Sequence, residues 1–527
     1  MTPHRTLAVV SGLALAAAHP EPSIWFFGWV GIVPLLYAVR GKTPRRAFGL
    51  GWLAGVAHFA ALLYWIAPTI SNYTQITQWQ AVGVLVVLSL VLGALMGGFV
   101  SVLEWLASAG ISRVVAAPAL WVVYEWMRYF VPAPCPWSLL GYSQYTVTPA
   151  IQIADLGGIY LVSAVLAFVN AALAELLRVG VRARPRLLIA TLAVPLLTLV
   201  YGAARISTMD RFEGRTIQIG VAQASVAQQF KWDRAYENST VATYSRLTRE
   251  AAAAGAQLVV WPEAAVPFYV PQDLRSRELE RLSASTGVEM FVGTPGAEQT
   301  DEGIVHYNRA WHVVPERGLD RSYDKIQLVP FGEYVPFGFL LSWLDRAVVV
   351  IGDFGRGEEY TVFEGPLADN GQRSRFSGLI CYEGIFPGLT REFVAVGAEL
   401  LLNISNDAWY GYSSAPYQHL AMASVRAVEN RVPLVRATNT GVSAVVDRVG
   451  RIRAATPLFE EAWFVEPVEV GYAGSVYTEF GDWFLYSALG FFVFLVAVRI
   501  RNGDVLTGGC SDGILSAQWK PLKRKTD

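Results

Sequence analysis

The chain has 527 residues, 53% of them hydrophobic and 16% charged, with a formal net charge of −1. That composition points to the membrane class, and the missing basic excess argues against nucleic acid as a partner. Three widely separated cysteines, Cys135, Cys381 and Cys510, exclude a disulfide framework, and no C-x-x-C or H-x-x-x-H pairing offers a metal site.

The first two hundred residues are apolar blocks broken by short polar loops. Spans are predicted near Leu7–Ala18, Ile24–Val39, Ala47–Ala67, Ala81–Leu106, Val114–Tyr129, Ile159–Leu177 and Leu187–Ala203, with a last one near Trp483–Val498. Arg40, Lys42, Arg45 and Arg46 follow the second, Arg113 the fourth, and Arg178, Arg182, Arg184 and Arg186 the sixth. Arg499, Arg501, Lys520, Lys523, Arg524 and Lys525 follow the last, whereas the loops 68–80 and 131–158 hold no Lys or Arg. The positive-inside rule therefore puts both termini in the cytoplasm and the long segment between the seventh and eighth spans outside. Glu125 and Arg128, three apart, are expected to pair on one helical face. The run Pro132-Ala133-Pro134-Cys135-Pro136-Trp137 is too rich in proline for a helix and reads as a cap over the bundle.

From about 215 to 470 charges become frequent and the apolar runs shorten to strand length. Strands are expected at Thr216–Gln223, Gln257–Trp261, Glu289–Gly293, Ala310–Val314, Phe376–Ile380, Leu400–Ile404, Leu434–Ala437 and Ser443–Val446. Helices are expected at Tyr236–Ala254, Leu274–Thr286 and Pro416–Asn430. This alternation implies an α/β fold with covered sheets. No G-x-G-x-x-G or G-x-x-x-x-G-K motif suggests a nucleotide.

Three strand ends in this region carry chemistry. Trp261-Pro262-Glu263 ends one strand in a carboxylate, Tyr323-Asp324-Lys325 brings a cation ahead of Glu333, and Gly378-Leu379-Ile380-Cys381 ends another strand in a thiol. A free thiol is only partly ionised at neutral pH and needs a base or a cation to attack. His306, His312 and His419 lie in ordinary strand or helix contexts, so Glu263 is the better base, with Lys325 to steady the thiolate and an oxyanion. The backbone N–H of Tyr382 is a second oxyanion donor in this reading. Two further segments look like covers for a site: the apolar stretch 334–351, which reads equally as a lipid-touching loop or a packed helix, and the polar-aromatic loop 405–412.

The segments WPE (Trp261–Glu263), YDK (Tyr323–Lys325), LVPFGEYVP (Leu328–Pro336) and CYE (Cys381–Glu383) resemble the nitrilase superfamily, whose members use a Glu-Lys-Cys triad. Their combination with seven spans before and one after is similar to the apolipoprotein N-acyltransferase family. The resemblance implies a polytopic α-helical membrane bundle of about eight spans plus a nitrilase-like four-layer α-β-β-α sandwich. It divides the chain into a bundle (1–205), an extracytoplasmic catalytic domain (215–470), a final helix (481–500) and a basic cytoplasmic tail (501–527). It carries over Glu263 as base, Lys325 as oxyanion-stabilising cation and Cys381 as nucleophile, with Glu333, Tyr382, Glu383 and Trp232 in support. It implies no metal and no cofactor. The implied reaction moves an acyl chain from a phospholipid, typically phosphatidylethanolamine at sn-1, through a Cys381 thioester to the amino-terminal diacylglyceryl-cysteine of a lipoprotein. The implied setting is a monomer in the inner membrane with its catalytic domain facing the periplasm. A membrane-tethered amidase or nitrilase using the same triad is the competing reading, with water in place of the amine.

Overall fold

The computed structural model describes residues 2–131, 133–301, 303–334 and 354–508. The apolar stretch 334–351, apart from Tyr334, and the part 509–527 of the tail, with Cys510, fall outside them.

Each of the eight apolar stretches is helical. By length and composition Gln78–Ala107, Ala154–Val179, Pro185–Met209 and Trp483–Asn502 are able to cross a bilayer. Pro44–Leu62 and Ile66–Tyr73 add a fifth if taken together, bent by 51° at their break. Pro3–Ala17 and Arg113–Met127 have 15 residues each, about 22 Å of helix, and Phe27–Val39 is also short. Pro185–Met209 leaves Leu192, Leu196 and Leu197 in the open, so its apolar surface has no protein cover.

Two buried carboxylates of the bundle, Glu104 and Glu175, are paired with arginines. Glu104 accepts from Arg113 Nε (2.6 Å) and Nη2 (2.7 Å) and from the N–H of Gly41 (2.9 Å). Glu175 pairs with Arg40 and, at 3.8 Å, with Arg184. Glu125 and Arg128 do not pair as expected. Glu125 accepts from Trp121 Nε1 (2.9 Å) and the Leu140 N–H (2.7 Å), while Arg128 donates to the Trp137 carbonyl. Helical spacing made the pair possible, but the cap loop supplied backbone partners to both.

The second half contains, among the described residues, twelve strands: β1 (Arg215–Gln223), β2 (Leu258–Val260), β3 (Glu289–Thr300), β4 (Gly303–Val314), β5 (Gly318–Asp324), β6 (Phe363–Leu367), β7 (Arg373–Ile380), β8 (Leu400–Ser405), β9 (Leu434–Thr438), β10 (Ala444–Val446), β11 (Ile452–Ala455) and β12 (Ala462–Val470). They form two six-stranded sheets, β12-β1-β2-β3-β4-β5 and β11-β10-β9-β8-β7-β6. Each sheet has a parallel trio at its centre, β1-β2-β3 and β7-β8-β9, flanked by antiparallel partners. The period of two decides the layers. Leu258 and Val260 join Phe291, Phe376, Leu379 and Leu402 in the core between the sheets, while Val259 and Trp261 face Tyr244, Leu247 and Leu279 of the helices Arg234–Ala253 and Ser276–Thr286. Helices Pro387–Ala395 and Ala415–Asn430 cover the second sheet. The result is the four-layer α-β-β-α sandwich.

The bundle and the sandwich are joined through buried polar contacts. Gln418 donates to the carbonyls of Pro20 (2.8 Å) and Leu62 (3.2 Å) and accepts from the indoles of Trp65 (3.2 Å) and Trp137 (2.7 Å). Arg431 sits at a left-handed φ of 54°, and its guanidinium meets Asp155 (2.7 Å) and Gln152 Oε1 (2.6 Å). Asp155 also takes Arg205 Nε at 2.8 Å. Replacing Arg431 by Met is expected to cost about 3–5 kcal/mol, because it breaks a buried ion pair and leaves Asp155 with the Tyr201 hydroxyl and the more peripheral Arg205. Thermal unfolding in detergent checks this, with the variant melting well below the parent.

Candidate active site

The site is built where strands end. β2 runs into Trp261-Pro262-Glu263, β5 into Lys325, β7 into Cys381 and β8 into Asn406. Each of these ends is a carboxyl end, and β5 runs with β3 because both are antiparallel to β4. Side chains from both sheets thus converge on one crevice, the usual place for a site in an α/β fold.

Cys381 begins a short 3-10 turn, Cys381–Ile385, at a φ of +54°. A non-glycine residue there carries about 1–3 kcal/mol of strain and is held by its surroundings. Here the holding is visible. The Cys381 carbonyl accepts from Asn403 Nδ2 (3.3 Å) and His419 Nε2 (3.2 Å). With its proton on Nε2, neutral His419 accepts at Nδ1 from Arg436 Nη2, 3.0 Å away. Arg436 in turn meets Asp407 at 2.8 Å and donates to Asn403 Oδ1. Burial, with the Arg436 charge, lowers the His419 imidazole and keeps it neutral. For Asp407, burial acts upward, but the Arg436 guanidinium outweighs it and holds the carboxyl low.

Glu263 accepts at one oxygen from Asn308 Nδ2 (2.6 Å) and at the other from the Asn406 N–H (2.8 Å), with Lys325 Nζ 3.7 Å away. Lys325 is almost wholly buried and donates to Glu333 at 2.8 Å. Burial alone would lower its ammonium, but the carboxylates of Glu333 and Glu263 hold it above its ordinary range. Glu333 is fixed by the Val329 N–H (2.8 Å) and by Asn308 (3.1 Å). Glu383 accepts from the Ile380 N–H (2.6 Å), the Tyr323 hydroxyl (2.7 Å), and the N–H groups of Ile326 (2.7 Å) and Gln327 (3.0 Å). It therefore clamps the thiol turn to the Lys325 turn. Burial pushes its carboxyl up to about 7 against the pull of those donors.

Burial pushes the Cys381 thiol up to about 12, the Glu263 charge adds to this, and Lys325 opposes it without prevailing. The resting group is a thiol, and attack requires a base.

Tyr382 turns the other way. Its hydroxyl donates to the Pro134 carbonyl at 2.6 Å, and its ring meets Phe386, which meets Tyr129. Tyr382, Ile385 and Phe386 belong to the core of the helical bundle. Trp232 stands 51% exposed, while its neighbour Lys231 points inward and donates to the Glu263 carbonyl at 2.9 Å. The loop 405–412 is anchored at its start by buried Asn406 and Asp407, and Trp409 and Tyr410 pack on Tyr73 and Trp65. Only its tip is open, with Tyr412 80% exposed.

Four residues that touch this arrangement are not singled out by the sequence reading: Asn308, mid-strand; Asn406, in the loop; His419, inside a helix; and Lys231. His419 was expected to be an ordinary helical histidine, yet it contacts the Cys381 backbone from a distant segment. Lys231 alone had a signal, two residues before the helix cap Asp233 and next to Trp232.

Comparison with known proteins adds identity to this geometry. Residues 11–172 match the apolipoprotein N-acyltransferase N-terminal domain, and residues 218–476 match carbon-nitrogen hydrolase. The chain is 38% identical to the apolipoprotein N-acyltransferase of Geobacter metallireducens, over 95% of this chain and 96% of that one. The enzyme of the same name from Gloeobacter violaceus is 34% identical, over 91% and 90%. Among solved structures, the amidase from Nesterenkonia sp. AN1 matches with a TM-score of 0.36 at 20% identity, covering 51% of this chain and 98% of that one. Saccharomyces cerevisiae Nit3 matches with a TM-score of 0.37 at 18% identity, over 48% and 90%. On this evidence the chain belongs to the apolipoprotein N-acyltransferase family.

Proposed function

We propose that the protein transfers an acyl chain from a membrane phospholipid to the α-amine of a diacylglyceryl-modified amino-terminal cysteine on a lipoprotein. The observation that carries this is the position of Cys381: its thiol lies in the field of Glu263 and Lys325 on one side, and its turn packs into the apolar bundle through Tyr382, Ile385 and Phe386 on the other. A nucleophile seated on a helical bundle suits a lipid ester, and a small soluble amide needs no such seat. The names of the relatives favour the acyltransferase over the amidase reading.

In the first half-step Glu263 takes the Cys381 proton as sulfur attacks the ester carbonyl. Lys325 and the Tyr382 N–H face the oxyanion. The carbon–oxygen bond breaks, Glu263 returns the proton to the departing alkoxide, and a lysophospholipid leaves a thioester. In the second, Glu263 takes a proton from the attacking amine, the carbon–sulfur bond breaks, and the thiolate regains its proton. Glu333 holds Lys325, Glu383 holds the two turns together, and Trp232, on the open side, meets substrate. Phosphatidylethanolamine is the proposed donor. The protein works as a monomer in the inner membrane. Eight crossings put 1–205 and 481–500 in the bilayer, 215–470 in the periplasm, and both termini, with the tail 501–527, in the cytoplasm. The basic loops after Val39, Leu177 and Val498 support that orientation.

Intact-protein mass spectrometry after incubation with phosphatidylethanolamine and no acceptor tests the reading. The expected result is a hydroxylamine-labile acyl adduct on the parent and none on Cys381→Ala. A folded parent that stays unmodified would return the weight to the amidase reading.

A further inference from the structure

The site holds a second buried lysine that the triad does not use. Lys231 lies in the turn before the helix Arg234–Ala253, which Asp233 caps by accepting from the Ala235 N–H at 2.9 Å. Its side chain is buried, with one hydrogen-bond acceptor for the ammonium among the described residues, the Glu263 carbonyl. No described carboxylate lies within ion-pair distance. A buried cation without a contacting counter-ion is costly, so its presence calls for a compensating role.

Charge accounting suggests that role. At rest the crevice holds the carboxylates of Glu263 and Glu333 against the ammonium of Lys325, with Cys381 neutral. One cation against two anions leaves the pocket negative, which opposes a thiolate and then an oxyanion. Adding Lys231 balances these groups, with Glu383 behind Lys325 uncharged below about 7, and moving the thiol proton to Glu263 keeps the balance. The hydrogen bond also fixes the Glu263 peptide, next to Ala264 at a left-handed φ of 45°.

We propose that Lys231 is a positioning residue for acyl transfer: it holds the Glu263 turn and supplies the second positive charge that lets negative charge build on Cys381 and on the substrate oxygen. This rests on the reading of Glu263, Lys325 and Cys381 given above. The groups facing Lys231 are Glu263 from the β2 turn and Cys381 from the β7 turn, with Lys325 and Glu333 beyond the first and Asp407 beyond the second. Burial lowers the Lys231 ammonium to about 8, although Glu263 and Cys381 pull it upward. The second charge is therefore present below that pH and lost as pH rises through it.

The test is the rate of thioester formation with phosphatidylethanolamine between pH 6 and 10, read by mass spectrometry on the full-length parent, Lys231→Arg and Lys231→Gln. The parent rate is expected to fall as pH rises through about 8. Lys231→Arg keeps its charge and moves that fall to higher pH. Lys231→Gln keeps a donor for the Glu263 carbonyl but no charge, and is expected to be slower by about 10- to 100-fold below pH 8, without a fall there. A flat parent rate through this range overturns the proposal with no variant needed. So does a Lys231→Gln protein that acylates at the parent rate, or a fall that stays in place in both variants. A parent that forms no labile adduct at all overturns the triad reading, and this proposal with it.

Discussion

Glu263→Gln is expected to slow thioester formation by about 10²–10⁴-fold, the usual worth of a positioned general base. Burial and the Glu263 charge push the thiol beside it well above its ordinary range, so the resting sulfur is protonated and a base must take its proton during attack. The substitution also faces an amide N–H₂ toward one of two donors, Asn308 Nδ2 or the Asn406 N–H, both of which the carboxylate satisfies. Single-turnover acylation followed by mass spectrometry measures the loss. A Glu263→Gln protein within tenfold of the parent would remove Glu263 from the role of base.

Lys325→Met is expected to be inactive and to lose about 3–5 kcal/mol of stability. Its ammonium is the shared partner of Glu333 at 2.8 Å and Glu263 at 3.7 Å, and without it two carboxylates share a dry pocket. Adding Glu333→Gln should restore much of the melting temperature, because one of the opposed charges is gone, yet no adduct should return. Stability and chemistry are thus separable at one site. A singly substituted protein as stable as the parent would mean that the pocket is wetter, and its electrostatics weaker, than the hydrogen bonds imply.

The sequence made the strand-end chemistry readable because each group sits in a short, unusual run. Trp-Pro-Glu and Cys-Tyr-Glu mark abrupt changes from apolar strand to polar turn, Tyr-Asp-Lys stands just ahead of the Leu-Val-Pro-Phe-Gly-Glu run, and the structure brings Glu263, Lys325 and Cys381 together. Strands that are mostly apolar, such as β8 and β9, were equally plain. β5 and β11 were not, because an edge strand reading Gly-Leu-Asp-Arg-Ser-Tyr-Asp or Ile-Arg-Ala-Ala has one partner and open faces, and its pattern is that of a loop. β6 and β12 carry a proline each, at Pro366 and Pro467, which masks a strand. Asn308, Asn406 and His419 were hidden for a different reason. Their meaning comes only from tertiary closeness to Glu263 and Cys381 across 45, 143 and 38 residues, and no local pattern encodes that.

Helix Ala415–Asn430 covers the second sheet on one side and meets the bundle on the other, and of its sixteen residues only Tyr417 has appreciable exposure. In a free-standing sandwich one flank of such a helix would be washed by water. The catalytic half is therefore not a detachable module. Cutting it from its helices would bare Met422, Val425 and Val428, together with Tyr382, Ile385 and Phe386, as a greasy scar beside the thiol turn. The Pro134 carbonyl that ties that turn from outside would go too. A soluble derivative for screening would need its underside redesigned with polar residues, and a new brace for the left-handed cysteine, before it could report on the native reaction.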